Sequence, residues 1–415
     1  MQEKAWGLYV HLPFCRRKCF YCDFASYAGR EAQMAAYVRV LGEELAREGG
    51  ALLRRYGPPR TIYLGGGTPT ALPPARMEEL LSALHPFLVG GADGAALARE
   101  GSGAAGEGTH QRRNGGSADE AVRAQEVTCE CNPGTVDAAY LALLRAGGVN
   151  RLSLGVQTLD DALLARIGRI HTAAEARAAV RLARAAGFRN ISLDLMYGLP
   201  GQTLAGLRES VRAAIALAPQ HLSIYGLMVE PGTVFAREQA QGRLALPSEE
   251  ESEAMYNFMT TALPAAGYAR YEISNFARPG FASRHNLGYW QDVPYLGVGA
   301  AAHSYLGGQR YENLAGIDDY LAAMAASGSA RREEEPLTRA TSMEEFAFLA
   351  LRTVRGIEKA RFAARFGCSL RSVYADVIDR LAARGLLVED AETVHLTPLG
   401  MKYGNWAFEA FLLDE

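Results

Sequence analysis

Cys15-Arg16-Arg17-Lys18-Cys19-Phe20-Tyr21-Cys22 sets three cysteines at C-x₃-C-x₂-C spacing, directly after the apolar run 8–14. Thiolates are the soft ligands that iron–sulfur clusters select, and clusters that only carry electrons normally take four of them. Three on one short loop can wrap one face of a [4Fe–4S] cubane and leave the opposite iron without a protein ligand, open to chemistry. The alternatives are a zinc knuckle or unconnected free thiols. Zinc requires a fourth Cys or His nearby, and structural zinc pairs usually come as two separated C-x₂-C units.

Outward from this loop, short apolar, β-branched segments alternate with longer stretches at helical spacing. Segments 8–14, 62–64, 127–131, 151–156, 191–196 and 222–228 read as strands, and 34–48, 74–88, 138–146, 173–186 and 204–217 as the helices between them. About six such alternations predict an α/β fold of parallel strands with right-handed crossovers, either an open doubly wound sheet or a barrel. The Gly-, Ala- and Arg-rich residues 90–125 interrupt the rhythm and predict a disordered surface insertion. Beyond Met228 the alternation weakens into a segment rich in Tyr, Gly and Asn. Helical spacing then returns at 343–354, 357–366 and 370–383, and 386–388 with 393–396 could form a hairpin, an order that resembles a winged helix.

The chain has 415 residues, 49% of them hydrophobic and 21% charged, with a formal net charge of −3. This is ordinary globular composition, enough for two or three domains. No basic block is long enough for a nucleic-acid footprint, and Arg371, Arg380 and Arg384 on the third C-terminal helix are offset by Asp376 and Asp379. No window approaches the roughly 20 apolar residues of a membrane span, and no signal peptide is visible. Six cysteines, three of them clustered, fit a reducing compartment, so the cytoplasm is expected.

The cysteine loop, with Tyr9-Val10-His11-Leu12-Pro13-Phe14 before it, resembles the radical S-adenosylmethionine (SAM) superfamily. Its closest form is the branch that holds oxygen-independent coproporphyrinogen III dehydrogenase and the HemW haem chaperones. The resemblance implies an open, six-unit partial (β/α) barrel with a C-terminal winged-helix-like, α-rich domain. The expected parts are a core at 1–235, an extension at 236–312 and the C-terminal domain at 313–415. It further implies that Cys15, Cys19 and Cys22 hold a [4Fe–4S] cluster whose fourth iron is chelated by the amino and carboxylate groups of SAM. An electron from the cluster then splits the sulfonium to a 5′-deoxyadenosyl radical, and a reduced flavodoxin or ferredoxin would supply that electron.

Functional groups in such a fold gather at the C-terminal ends of the strands. Gly65-Gly66-Gly67-Thr68-Pro69-Thr70 follows the second strand, and consecutive glycines let a backbone approach a ligand closely. By resemblance Gly66, Gly67 and Thr68 hold the SAM amino group. Glu130 and Asp194 are carboxylates inside apolar strands, where a charge is costly without a partner. Both match SAM-binding positions of the family, as do Gln157, Arg169, Tyr9, Tyr21 and Gly226. Cys129 and Cys131, on the third strand, read as small core residues rather than further ligands.

Two stretches separate the branches. The dehydrogenase carries a fourth cysteine two residues after the third and a longer N-terminal arm. Here Asp23-Phe24 follows Cys22, and only fourteen residues precede Cys15. Arg284-His285-Asn286-Leu287-Gly288-Tyr289-Trp290 fits the HNxxYW pattern characteristic of HemW. Imidazole is a common haem ligand, so His285 is the candidate haem contact, with His303 as a second, while the motif could instead shape the SAM pocket. The expected function is a chaperone that binds haem and passes it to acceptor haemoproteins, respiratory enzymes among them. The resemblance allows a homodimer. The rival is an oxidoreductase of porphyrin biosynthesis that decarboxylates coproporphyrinogen.

Overall fold

The computed structural model describes residues 5–89, 125–333 and 336–413. Six strands, β1 (Gly7–Leu12), β2 (Thr61–Gly66), β3 (Glu126–Cys131), β4 (Arg151–Gln157), β5 (Asn190–Tyr197) and β6 (His221–Gly226), lie side by side in chain order and run parallel. Every crossover moves one strand further in the same direction, so the order never reverses as it does in a doubly wound sheet. Residues of β2 to β6 and the cysteine loop line one common cavity, so the sheet curves around it as a barrel wall.

The barrel stays open. Beyond β6 the sheet continues through antiparallel β8 (Asn275–Ala277) and β7 (Ala269–Arg270). Beyond β1 it continues through parallel β9 (Tyr295–Val298) and antiparallel β10 (His303–Leu306), β11 (Gln309–Asn313) and β12 (Arg331–Glu333). The strands β9 to β12 are three to five residues long and carry polar residues such as Ser304, Gln309, Glu312 and Arg331, so no apolar run marks them. Strand β1 also stops before the expected residue 14, since Pro13 has no N–H for a ladder and Phe14 makes only an isolated bridge to Tyr27.

Alternation divides each strand into two faces. Leu8, Val10, Ile62, Leu64, Leu152, Leu154, Ile191, Leu193, Leu222 and Ile224 are fully or almost fully buried in the main core. They share that core with Leu41 and Tyr37 of helix Met34–Glu44, Leu80 and Leu84 of Pro74–Leu84, Leu141 and Leu144 of Ala138–Ala146, and Val180 of Ala173–Ala185. The intervening residues, Tyr63, Glu130, Arg151, Ser153, Asp194 and Ser223 among them, turn toward the lumen. Glu44 ties the β9–β11 extension to the barrel: its buried carboxylate accepts from the Gly299 N–H at 2.8 Å, Asn313 Nδ2 at 2.7 Å and the Tyr320 hydroxyl at 2.7 Å.

A second, separate core joins helices Arg339–Leu351, Lys359–Phe366 and Arg371–Ala383 with β13 (Ile357–Glu358), β14 (Leu387–Glu389) and β15 (Thr393–Leu396). The element order helix, strand, helix, helix, hairpin is that of a winged helix. Ile317, Tyr320, Met324 and Ala330 belong to the main core instead, so this unit starts after β12 rather than at 313. The expected insertion at 90–125 lies outside the described residues except for Gln125.

Candidate cluster and SAM site

The cavity at the C-terminal ends of the strands has a volume of about 420 Å³. Cys15, Cys19 and Cys22 all line it, half-buried and unpaired with one another. Their loop is pinned by backbone: Cys15 N donates to Tyr27 O at 2.9 Å, Phe20 N to Ile167 O at 3.1 Å, and Phe235 N to Phe20 O at 3.0 Å. The glycine loop after β2 is stitched to it, with Gly67 N donating to Leu12 O at 2.9 Å and Thr68 N to Phe14 O at 2.8 Å. A Cβ on Gly67 would lie 2.7 Å from Phe14 O, so only glycine lets the two loops come this close. The Thr68 hydroxyl lies 3.6 Å from the Cys15 sulfur.

Most of the residues expected at the SAM site come together here. Tyr21, Gly66, Gly67, Thr68, Glu130, Gln157, Arg169, Asp194 and Gly226 line the same cavity. Gln157 ends β4 in the left-handed region at φ 66°, beside a register shift against β5. Arg169 donates from Nη1 to the Cys19 sulfur at 3.5 Å and from Nη2 to Gly155 O, while its Nε has no partner among the described residues. Tyr9 stands one ring behind: it does not line the cavity, its hydroxyl meets His11 Nδ1 at 3.0 Å, and it stacks on Tyr63. Cys129 and Cys131 are both buried in the main core, and Cys131 also touches the cavity.

The lumen is a buried charge system. Desolvation pushes the Glu130 carboxyl from the usual 4.5 up to about 7, opposed by a 2.7 Å bond from the Tyr63 hydroxyl and reinforced by nearby Asp194. Desolvation also raises Asp194, against hydrogen bonds from Ser223, Ser153 (3.1 Å to each oxygen) and Ser192 (3.3 Å). Beneath them Arg151, 2% exposed, supplies the positive charge, and its Nε has no hydrogen-bond partner among the described residues. Sequence reading missed Arg151, Tyr63, Ser153 and Ser223. The signal was in Arg151-Leu152-Ser153-Leu154-Gly155-Val156-Gln157, where every second residue is polar or Gly. Strands of a sheet covered on both faces by helices are apolar throughout, so this alternation marks a polar lumen.

The HNxxYW stretch lies at the other end of the barrel, on helix Arg284–Trp290. His285 does not present a nitrogen to a ligand. It is 3% exposed, with Nδ1 2.8 Å from Thr61 Oγ1 and Nε2 2.8 Å from the Tyr289 hydroxyl, and it stacks on Tyr63 at 5.0 Å. Desolvation, with Arg151 nearby, lowers its pKa to about 3, so the ring is neutral. Each motif residue has its own surroundings: Asn286 lines the cavity floor, and Trp290 carries the Arg352 guanidinium 4.6 Å above its ring. His303 faces Glu312 across β10 and β11 at 3.4 Å, away from the cavity lining.

The family model of the radical SAM superfamily matches residues 9–214, and that of the HemN C-terminal domain matches 337–403. "Heme chaperone HemW" of Bacillus subtilis (strain 168) is 38% identical, covering 97% of this chain and 98% of its own length. The protein of the same name from Escherichia coli (strain K12) is 32% identical, covering 98% of each. This chain belongs to the HemW family of radical SAM proteins. The solved coproporphyrinogen III oxidase (HemN) from Escherichia coli covers 99% of this chain and 90% of its own, with a TM-score of 0.78 at 23% identity, which shows a shared fold.

Superfamily membership implies a [4Fe–4S] cluster and SAM, and the residues present fit both. Among the described residues no three His, Cys, Asp or Glu converge on a single-ion point. Three thiolates that each bind a different iron of one cluster do not need to. For SAM, the buried Nε atoms of Arg169 and Arg151 are donors awaiting an acceptor, and the glycine loop leaves backbone room.

Proposed function

We propose that this chain is a haem chaperone that holds a SAM-ligated [4Fe–4S] cluster, binds haem and hands it to acceptor haemoproteins. The observation that carries the reading is its end-to-end likeness to relatives named heme chaperones, with 37% identity over all of this chain and 99% of the Lactococcus lactis relative. Phe24 supports it, standing where the decarboxylating branch keeps a fourth cysteine.

In this reading Cys15, Cys19 and Cys22 hold the cluster. Glu130 and Asp194 face the cationic and hydroxyl groups of SAM, and Arg169 faces its carboxylate, since a guanidinium fork matches that geometry. When bound, the cluster and SAM supply a reducing centre beside a cleavable sulfonium. The chain's own part is to enclose them in a polar lumen and to hold Arg169 against the cluster loop. Cysteines unpaired throughout the described residues fit a cytoplasmic setting, and no helix among these residues is long and apolar enough to cross a membrane.

The test is anaerobic reconstitution of the cluster, loading with haem and mixing with an apo-haemoprotein. Haem should appear in the acceptor at one equivalent or less per chain, without protoporphyrinogen formation from coproporphyrinogen. Sustained protoporphyrinogen turnover with SAM consumption would replace this reading with the oxidoreductase one.

A further inference from the structure

The mouth of the cavity carries three groups that neither cluster nor SAM binding uses. Phe24, two residues after Cys22, is 64% exposed, Met228, two residues past β6, is 65% exposed, and both line the cavity. Arg17 lines it too, and its guanidinium stacks over Phe20 at 5.3 Å, with no hydrogen bond or ion pair among the described residues. Its neighbours are committed: Arg16 donates to Gly134 O, and the Lys18 amine to the carbonyls of Phe24 and Ser26. Large apolar side chains left uncovered at a cavity rim mark a place for an apolar ligand.

Position adds to this. Phe24 and Met228 lie on the loops that follow β1 and β6, the first and last strands of the six-stranded parallel wall. A flat molecule can enter there without parting a paired strand. An uncommitted cation beside two apolar side chains complements a plate that is apolar over its faces and anionic along one edge. Haem, with its two propionates, has this chemistry. At the HNxxYW end the cavity beside Trp6, Arg60 and Tyr289 is about 150 Å³, against about 420 Å³ at the mouth, and His285 has both nitrogens engaged.

Resting on the reading of haem as cargo, we propose that haem docks at the barrel mouth, its macrocycle against Phe24 and Met228 and its propionates toward Arg17. Cargo so placed covers the cluster loop, and the HNxxYW helix beneath serves the architecture of the cavity.

Haem titration of the reconstituted chain, read by the Soret band and by haem dissociation rate, tests it. The double substitution Phe24→Ser with Met228→Ala should weaken haem binding about tenfold or more, with SAM affinity within about twofold of the parent. Met228→Leu should retain most of the affinity. Arg17→Glu should weaken binding of haem several-fold and of haem dimethyl ester not at all, because the ester has no propionate charge. Parent-like haem affinity in the double variant, or equal losses for haem and its ester in Arg17→Glu, overturns the mouth site while leaving the chaperone reading intact. Failure of the unsubstituted chain to bind haem overturns both.

Discussion

Glu130 is the residue whose surroundings make the sharpest demand. Tyr63 donates to it, Asp194 lies close enough to raise it, and Arg151 lies beneath as the compensating charge. Its folded pKa of about 7 exceeds the 4.5 of the free acid, so the folded state binds the proton more tightly. That contribution is fully present below pH 4.5 and is lost as pH rises through about 7. Between pH 5.5 and 7.5 the ligand-free protein should therefore lose about 2 kcal/mol from this group. Glu130→Gln should flatten the fall in melting temperature over this window. An unchanged pH slope in the variant would show that Glu130 is ionised freely in the folded state. Glu130 and Asp194 were visible in the sequence as carboxylates inside apolar strands. Their counter-charge Arg151 was not, because a basic residue at the start of a strand looks like an ordinary exposed end until the strands are curled around a lumen.

At the scale of elements, the parallel strands and their helices were legible because two-residue and helical periodicities are strong when one face meets one environment. Helix Arg284–Trp290 defeats that logic. His285 stacks under Tyr63, Asn286 reaches the cavity, Tyr289 meets His285, and Trp290 meets the C-terminal unit. Four environments in seven residues leave no amphipathic stripe, so the segment reads as a motif without a secondary structure. Its start is set by Ser283 accepting from Asn286 N at 3.4 Å and by Glu126 of β3 accepting from the N–H groups of Arg284 and His285, at 3.2 and 3.1 Å. A carboxylate there favours the positive end of the helix. His285→Ala removes the ring from between Thr61 and Tyr289 and leaves both hydroxyls without it. The expected cost is about 3 kcal/mol of stability, seen as a lower denaturation midpoint, with haem affinity within about twofold of the parent. His285→Gln should recover part of the loss, since an amide can still donate and accept. Loss of haem binding in a folded His285→Gln protein would return the haem site to this helix.

For the whole molecule the question is what the C-terminal unit does to the barrel. Its winged-helix order invites a nucleic-acid reading, yet Arg371, the first basic residue of the third helix, is paired with Asp379 at 2.9 Å and with Glu389. Its contacts run inward instead. Arg310 pairs with Glu345 at 2.7 Å, Arg365 with Asp292, and Ile273 N donates to Arg352 O at 3.1 Å. Arg352 is the joint: its guanidinium lies over Trp290 at 4.6 Å and faces Phe408 at 5.6 Å, so the unit grips the helix whose Asn286 forms the cavity floor. Exposed ion pairs contribute little, whereas a partly desolvated guanidinium between two aromatic rings contributes about 1–2 kcal/mol together with the packing of its stem. Arg352→Ala should lower the melting temperature by a few degrees and speed amide exchange in both Arg284–Trp290 and Gly404–Glu409. Exchange in β4 and β5 should stay unchanged. If exchange rises only in Gly404–Glu409, the C-terminal unit is a passive appendage; if it rises in both, the floor of the cavity is held in place from outside the barrel, and displacing that unit loosens the site from below while the cluster loop above stays pinned.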